Sequence, residues 1–289
     1  MKPGVFAYHR AATVEEAVSV LAEHGDDAKP IAGGQSLVPL LNLRLSRPAV
    51  LVDINRIPGL SLLESAGGVL QVGALARHAD VEHWPEARVR CPLLYEALPH
   101  IGHVAIRNRG TIGGSIAHAD PAAELPAVAC ALRATIVVAG PRGDRLLPAE
   151  EFFLSTFTTA IETSELVVGV RFPWQAANVG SCWLEFARRR GDFALVGVAA
   201  LVELGPDGRC ERMRVACAGV AEKPLVAERE TRLRGEETIG REFADFADEV
   251  AREADPRADL HGSEWYRRKL LQVLVPRALR TAFERARAA

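Results

Sequence analysis

Two short glycine-rich segments carry the residue types best suited to holding an anion. Ala32-Gly33-Gly34-Gln35-Ser36 follows a short apolar run, and Thr111-Ile112-Gly113-Gly114-Ser115 is flanked by hydroxyls. Paired glycines let a backbone approach a ligand with no Cβ in the way. Where a helix starts at such a turn, free N–H groups and the positive end of the helix dipole converge, which suits a phosphate. Thr111 and Ser115 add hydroxyl donors to the N–H groups between them. Taken singly, each segment reads more readily as a tight turn. As a pair on separate elements they point to a pyrophosphate held from both sides. Neither fits G-x-G-x-x-G or G-x-x-x-x-G-K-[ST], so a Rossmann or Walker A site is not expected.

A polar set, His118, Asp120 and Glu124, follows the second segment. Acidic residues beside a nucleotide commonly accept hydrogen bonds from ribose hydroxyls. The competing reading gives Asp120 to a turn before Pro121 and Glu124 to the first turn of a helix, where a carboxylate favours the dipole. Both stay open at this level. His100, His103 and His118 lack carboxylates at ligand spacing on a defined helical face, so no metal site is expected. Arg188-Arg189-Arg190-Gly191-Asp192-Phe193 reads as a solvated or docking face, because nucleic-acid binding needs more basic and aromatic residues. No G-x-S-x-G elbow is present, and no acid/base catalyst stands out.

The elements that must position these residues follow from patterning. Thr13 caps a helix with Glu16 completing a capping box, and Gly25 ends it. Lys29–Ala32 and Val50–Ile54 read as strands with a short helix, Leu37–Leu43, between them. Val69–Leu75, Ala134–Ala139 and Leu166–Phe172 read as strands; Pro92–Ile101 and Glu124–Leu132 read as helices. PWQAANVG (173–180) reads as a linker. Ser181–Arg188, Leu195–Leu204 and Arg212–Ala218 form three expected strands, the last two joined by a Gly-Pro-Asp-Gly turn. Arg241–Glu253 and Ser263–Ala288 are helical, the latter interrupted by Pro276. The expected units are 1–55, 56–176 and 177–289.

Composition narrows the function class. The chain has 289 residues, 48% hydrophobic and 25% charged, with a formal net charge of −2. That balance argues against a nucleic-acid-binding face. No apolar run approaches the roughly 20 residues that span a bilayer. The first residues show no apolar signal core, so the expected compartment is a reducing cytoplasm. Five cysteines at scattered positions, with no C-x-x-C, disfavour disulfides, a zinc ribbon or a cysteine-ligated cluster.

With these residues in view, KPIAGGQSLVPLLNLRLSRPAVLVDINRI and IRNRGTIGGSIAHADPAAELPAV together resemble the flavoprotein (medium) subunit of molybdenum hydroxylases, the group of aerobic carbon monoxide dehydrogenase and xanthine dehydrogenase. The likeness extends to GDFALVGVAA and HGSEWYRRKLLQVLVPRAL. It implies an α+β chain: an FAD-binding fold of the vanillyl-alcohol oxidase type in two subdomains, then a C-terminal α+β domain with a three-stranded antiparallel sheet and helices. It also implies FAD as cofactor, with Ala32–Ser36 and Thr111–Ser115 at the pyrophosphate. Ile31 and Leu37 would flank the first loop, Ile101 would make an apolar contact, Glu124 would meet the adenosine ribose and Val167 would lie near the adenine. Asp192, in the segment Arg188–Ala194, would fall in a loop that lies beside the isoalloxazine in xanthine-oxidising relatives. Many relatives carry a lysine near position 185, where this chain has Glu185. By the same resemblance, a large molybdopterin subunit and a small [2Fe–2S] subunit would be partners in a heterohexamer, and electrons would leave to a quinone, NAD or oxygen. The alternatives are a self-sufficient flavin oxidase on this fold and a flavin-free nucleotide-binding assembly protein.

Overall fold

The computed structural model describes residues 2–233 and 236–288. The chain opens with a small parallel sheet. Strands β1 (Ala7–Arg10), β2 (Ala28–Ile31) and β3 (Val50–Asp53) lie in the order β1-β3-β2, both pairs parallel. Helix α1 (Val14–His24) links the first two, and α2 (Leu37–Asn42) the last two. Parallel neighbours require such crossovers. The capping box at α1 is present, with a shift: Thr13 Oγ1 accepts from Glu16 N–H, while the Glu16 carboxylate takes the N–H of Ala12. Strand β1 was not expected from sequence. AYHR has two adjacent apolar residues, Ala7 and Tyr8, both exposed, so no alternation announces it.

A five-stranded antiparallel sheet follows, in the order β4-β5-β10-β6-β7. Its strands are β4 (Leu63–Ala66), β5 (Val69–Gly73), β6 (Thr135–Gly140), β7 (Gly143–Pro148) and, after the short pair β8 (Phe153–Ser155) and β9 (Thr158–Thr159), β10 (Leu166–Pro173). Between β5 and β6 run α3 (His78–Glu82), α4 (Pro85–Arg90), α5 (Pro92–Ala97), α6 (Val104–Arg107), α7 (Ile112–His118) and α8 (Glu124–Ala131); α9 (Ala149–Phe152) follows β7. Leu70, Val72, Leu94, Ile112, Ile116, Leu125, Ile136 and Phe172 form the core between sheet and helices.

The chain crosses to a second antiparallel sheet between Pro173 and Val179. Strands β11 (Val179–Phe186), β12 (Val196–Leu204), β13 (Cys210–Ala218) and β14 (Leu225–Leu233) pair in chain order. The sheet is therefore four-stranded, not three-stranded as expected. LVAERETRL in β14 is apolar only at its ends and largely charged between them, as suits an edge strand that is partly exposed throughout. Its Arg229 reaches Glu242 and Glu249 on helix α10 (Glu236–Glu253). Helix α11 (Glu264–Ala288) runs unbroken through Pro276, a second correction. The lost N–H costs one hydrogen bond. The flanking Val275, Ala278 and Leu279 are fully buried against the sheet and hold the helix together.

Both faces of this second sheet are covered. Cys182, Val198, Val202, Met213 and Val215 pack on α10 and α11, whereas Trp183, Ala199, Ala216 and Ala218 pack toward α8. Two-sided burial explains the near-continuous apolar run of β12. All five cysteines are buried free thiols, each pushed up to about 11 or 12, chiefly by burial. Among the described residues, no helix is long and apolar enough to cross a membrane.

Candidate functional site

One cavity of about 460 Å³ brings most of the expected site residues together. Ala32, Gly33, Gly34, Gln35, Ser36 and Leu37 line it from the first unit; Thr111, Gly113, Gly114 and Ser115 line it from the second. Ile101, Glu124 and Val167 also face it, and Asp192 enters from the loop after β11 with Gly191 and Phe193. Two expected residues do not line it. Ile31 borders a separate depression on the other side of the first loop, and Ile112 is fully buried in the core.

The two glycine segments differ in what they offer. Gly34 has φ +71°, a left-handed conformation that favours glycine. With it, the N–H groups of Gly33, Gly34, Gln35 and Ser36 donate to no acceptor among the described residues. The second segment is not a turn but the start of α7. Thr111 caps it, taking the Gly114 N–H on Oγ1 at 3.1 Å. Ile112 and Gly113 donate to the carbonyls of Ala76 and Ala74, both at 3.0 Å, and Ser115 donates to Thr111. Its N–H groups are therefore spent inside the protein, contrary to the expectation that they face a phosphate. The second segment contributes hydroxyls and a close-packed wall; the first contributes the free donors.

The role of Gly33 changes accordingly. A Cβ there would overlap the Arg109 carbonyl oxygen outright and stand 2.8 Å from its carbon. A Cβ on Gly113 would stand 2.7 Å from Ala74 Cα. These glycines let the two segments close on their neighbours, rather than only clearing room for a ligand.

Sequence reading missed several lining residues, among them Lys29, Ile54, Ala74, His78, Ile106 and Glu165. None has a local signature; tertiary pairing puts them there. Arg107 is one of the supports: it donates to the carbonyls of Ile101 and Gly102 and pairs with Glu82 at 2.7 Å, fixing that wall. Two of the cavity's carboxylates, Glu165 and Glu124, are set in opposite directions. Hydrogen bonds from Arg145 at 2.7 and 2.6 Å hold Glu165 below the usual carboxylate range. Glu124 is 4% exposed and has no ion pair among the described residues. Burial, then the charges of Glu185 and Asp120, push it up to about 8. Glu185 lies outside the cavity lining with its side chain 3% exposed, 3.7 Å from His100; burial pushes it up to about 7.

An elongated nucleotide fits this donor set. Free N–H groups suit a diphosphate, a buried carboxylate suits sugar hydroxyls, and Ile101, Ile106, Ala117, Ile161 and Val167 offer apolar walls. Comparison with known proteins decides the family. Residues 4–175 match the model of an FAD binding domain in molybdopterin dehydrogenase, and residues 181–282 match that of the CO dehydrogenase flavoprotein C-terminal domain. The chain belongs to the FAD-binding medium subunits of the molybdenum hydroxylases. It is 42% identical to the 6-hydroxypseudooxynicotine dehydrogenase complex subunit alpha of Paenarthrobacter nicotinovorans, covering 99% of this chain and 97% of the relative. It is 37% identical to the carbon monoxide dehydrogenase medium chain of Hydrogenophaga pseudoflava over 99% of both. The solved structure of that organism's carbon monoxide dehydrogenase matches with a TM-score of 0.93 at 38% identity, over 99% of both chains. Quinoline 2-oxidoreductase from Pseudomonas putida 86 matches with 0.91 at 35% identity, again over 99% of both. FAD is accordingly the cofactor of this medium subunit.

Proposed function

We propose that this medium subunit holds FAD extended through the cavity, with the diphosphate on the Gly33–Ser36 N–H groups, and works within a complex that includes a large molybdopterin subunit and a small [2Fe–2S] subunit. The observation that carries the placement is the row of unspent N–H groups on the first loop. When bound, FAD supplies the redox carrier between the partner's clusters and an external acceptor. This chain's task is binding, orientation and exclusion of water. Ser115 and Thr111 offer hydroxyls to the diphosphate, Glu124 accepts from the ribose, Val167 lies by the adenine and Asp192 lies beside the ring system. The buried, protonated thiols favour clusters held by another chain, because cluster ligands are thiolates.

The test is reduction without partners. Purified chain carrying FAD is mixed anaerobically with nitrogen-heterocycle or aldehyde substrates, and its visible spectrum is followed. The flavin is expected to stay oxidised until a small-molecule reductant is added. Rapid bleaching by an organic substrate would favour the self-sufficient oxidase instead.

Glu124 makes a pH prediction. In the free cavity it titrates near 8, whereas ribose hydroxyls bind best to the ionised form, charge-assisted bonds being about twice as strong as neutral ones. Binding therefore releases a proton below pH 8. FAD affinity is expected to rise as pH increases from 6 to about 8 and to level off above it, with Glu124→Gln removing most of the slope. Isothermal titration at several pH values checks this. An equally steep rise in the Gln variant would contradict the role given to Glu124.

A further inference from the structure

The first cofactor segment follows β2 and the second opens α7, and one pair of side chains fastens them. Asn55 follows β3. Its amide Nδ2 donates to the Ala32 carbonyl at 2.9 Å and the Ile31 carbonyl at 3.3 Å, at the base of the first segment. Its Oδ1 accepts from Arg77 Nη2 at 2.9 Å. Arg77 Nη1 donates to the Arg109 carbonyl at 2.5 Å, just before the second segment, and the Arg77 backbone bridges to Thr111. The Arg109 carbonyl is also the group against which Gly33 closes. Four groups thus form a continuous run from loop to loop: Ala32 carbonyl, Asn55, Arg77, Arg109 carbonyl.

Asn55 is itself held from below. Asp53 Oδ1 accepts from both the backbone and side-chain nitrogens of Asn55, at 2.9 and 2.7 Å, which fixes the amide so that its oxygen faces Arg77. Arg77 forms no ion pair among the described residues; its two forked donors go to neutral oxygens. A second cation, Arg109, lies close enough to lower the Arg77 pKa, after burial. Two neighbouring guanidinium groups repel unless an anion lies nearby. Asp80, whose carboxylate accepts the Arg77 backbone N–H at 3.3 Å, offsets part of that repulsion, and a diphosphate on the first loop would offset more.

We infer that Asn55 and Arg77 are positioning residues for the cofactor: a clasp that holds the first loop's N–H row against the second segment and sets positive charge behind it. This rests on the placement of the diphosphate proposed above. Neither side chain lines the main cavity, so the clasp acts through the backbone it grips.

The test uses the full chain stripped of flavin and titrated with FAD by fluorescence. Asn55→Ala and Arg77→Met are each expected to weaken FAD binding by about tenfold or more, the range for losing a charged hydrogen bond. The double variant is expected to lose no more than the worse single, because either change opens the same clasp. Arg77→Lys, which keeps the charge but cannot span both oxygens, should remain weak. The melting temperature of the flavin-free variants separates positioning from folding, and is expected to change little. Affinity within about twofold of wild type for Arg77→Met, additive losses, or full recovery in Arg77→Lys would each overturn the clasp. Wild-type chain that takes up no FAD would instead overturn the site placement itself.

Discussion

Gly33→Ala is expected to yield a chain without bound flavin. The new methyl would meet a backbone carbonyl, Arg109, that cannot swing aside as a side-chain end would. That carbonyl is gripped by Arg77 and lies one residue from Gly110, whose own N–H is bonded to Ile106 at 2.7 Å. The first loop must therefore move away, and its N–H row moves with it. Overpacking of this kind typically costs about 1–3 kcal/mol in a core; here it is concentrated on the donors. The flavin-to-protein absorbance ratio of the purified variant checks this. Gly4→Ala, where a Cβ meets nothing within 4 Å, is the matched control and should retain FAD. A Gly33→Ala variant with one FAD per chain would show that the loop tolerates displacement.

The second large effect is expected at Arg214 on β13. The residue is 6% exposed, and its guanidinium donates to the carbonyls of Cys130 and Ala131, at the end of α8, at 2.9 and 3.0 Å. It also pairs with Glu150 at 2.5 Å and Glu228 at 2.6 Å. It thereby ties the second sheet to the helix whose first residue, Glu124, lines the cavity. Arg214→Leu leaves the two carbonyls and Glu150 without this partner, while Glu228 keeps Arg133 and Arg212, and breaking one side of a buried ion pair costs about 3–5 kcal/mol. Glu150 can rehydrate, since its side chain is 45% exposed, so the low end applies. In a chain of this size the melting temperature should fall by about 6–12 °C. A fall under about 2 °C would mean that Arg214 contributes little to joining the second sheet to α8.

Much of this was legible in the residues. Gly33-Gly34 after a strand and Gly113-Gly114 between hydroxyls were visible as a pair, and both line one cavity, though the second opens a helix where a turn was expected. The capped helix α1 and the β12–β13 hairpin follow from local chemistry. What was hidden arises from distant partners. Whether the second segment's N–H groups are free depends on the carbonyls of Ala74 and Ala76, far away in sequence. The grip of Asn55 on Ala32 joins two parallel-sheet neighbours, and Arg77 joins that sheet to the next. Strand β14 was hidden because an edge strand satisfied by ion pairs looks like a charged loop. Pro276 misled because packing on both sides outweighs one missing hydrogen bond.

The central claim is that this chain holds one FAD on the free N–H row of its first loop. The most direct measurement is the cofactor content of the purified full chain, before and after flavin removal and readdition. The account predicts a flavin spectrum with one FAD per chain, lost on removal and restored on adding FAD. A colourless chain that takes up no FAD would contradict it.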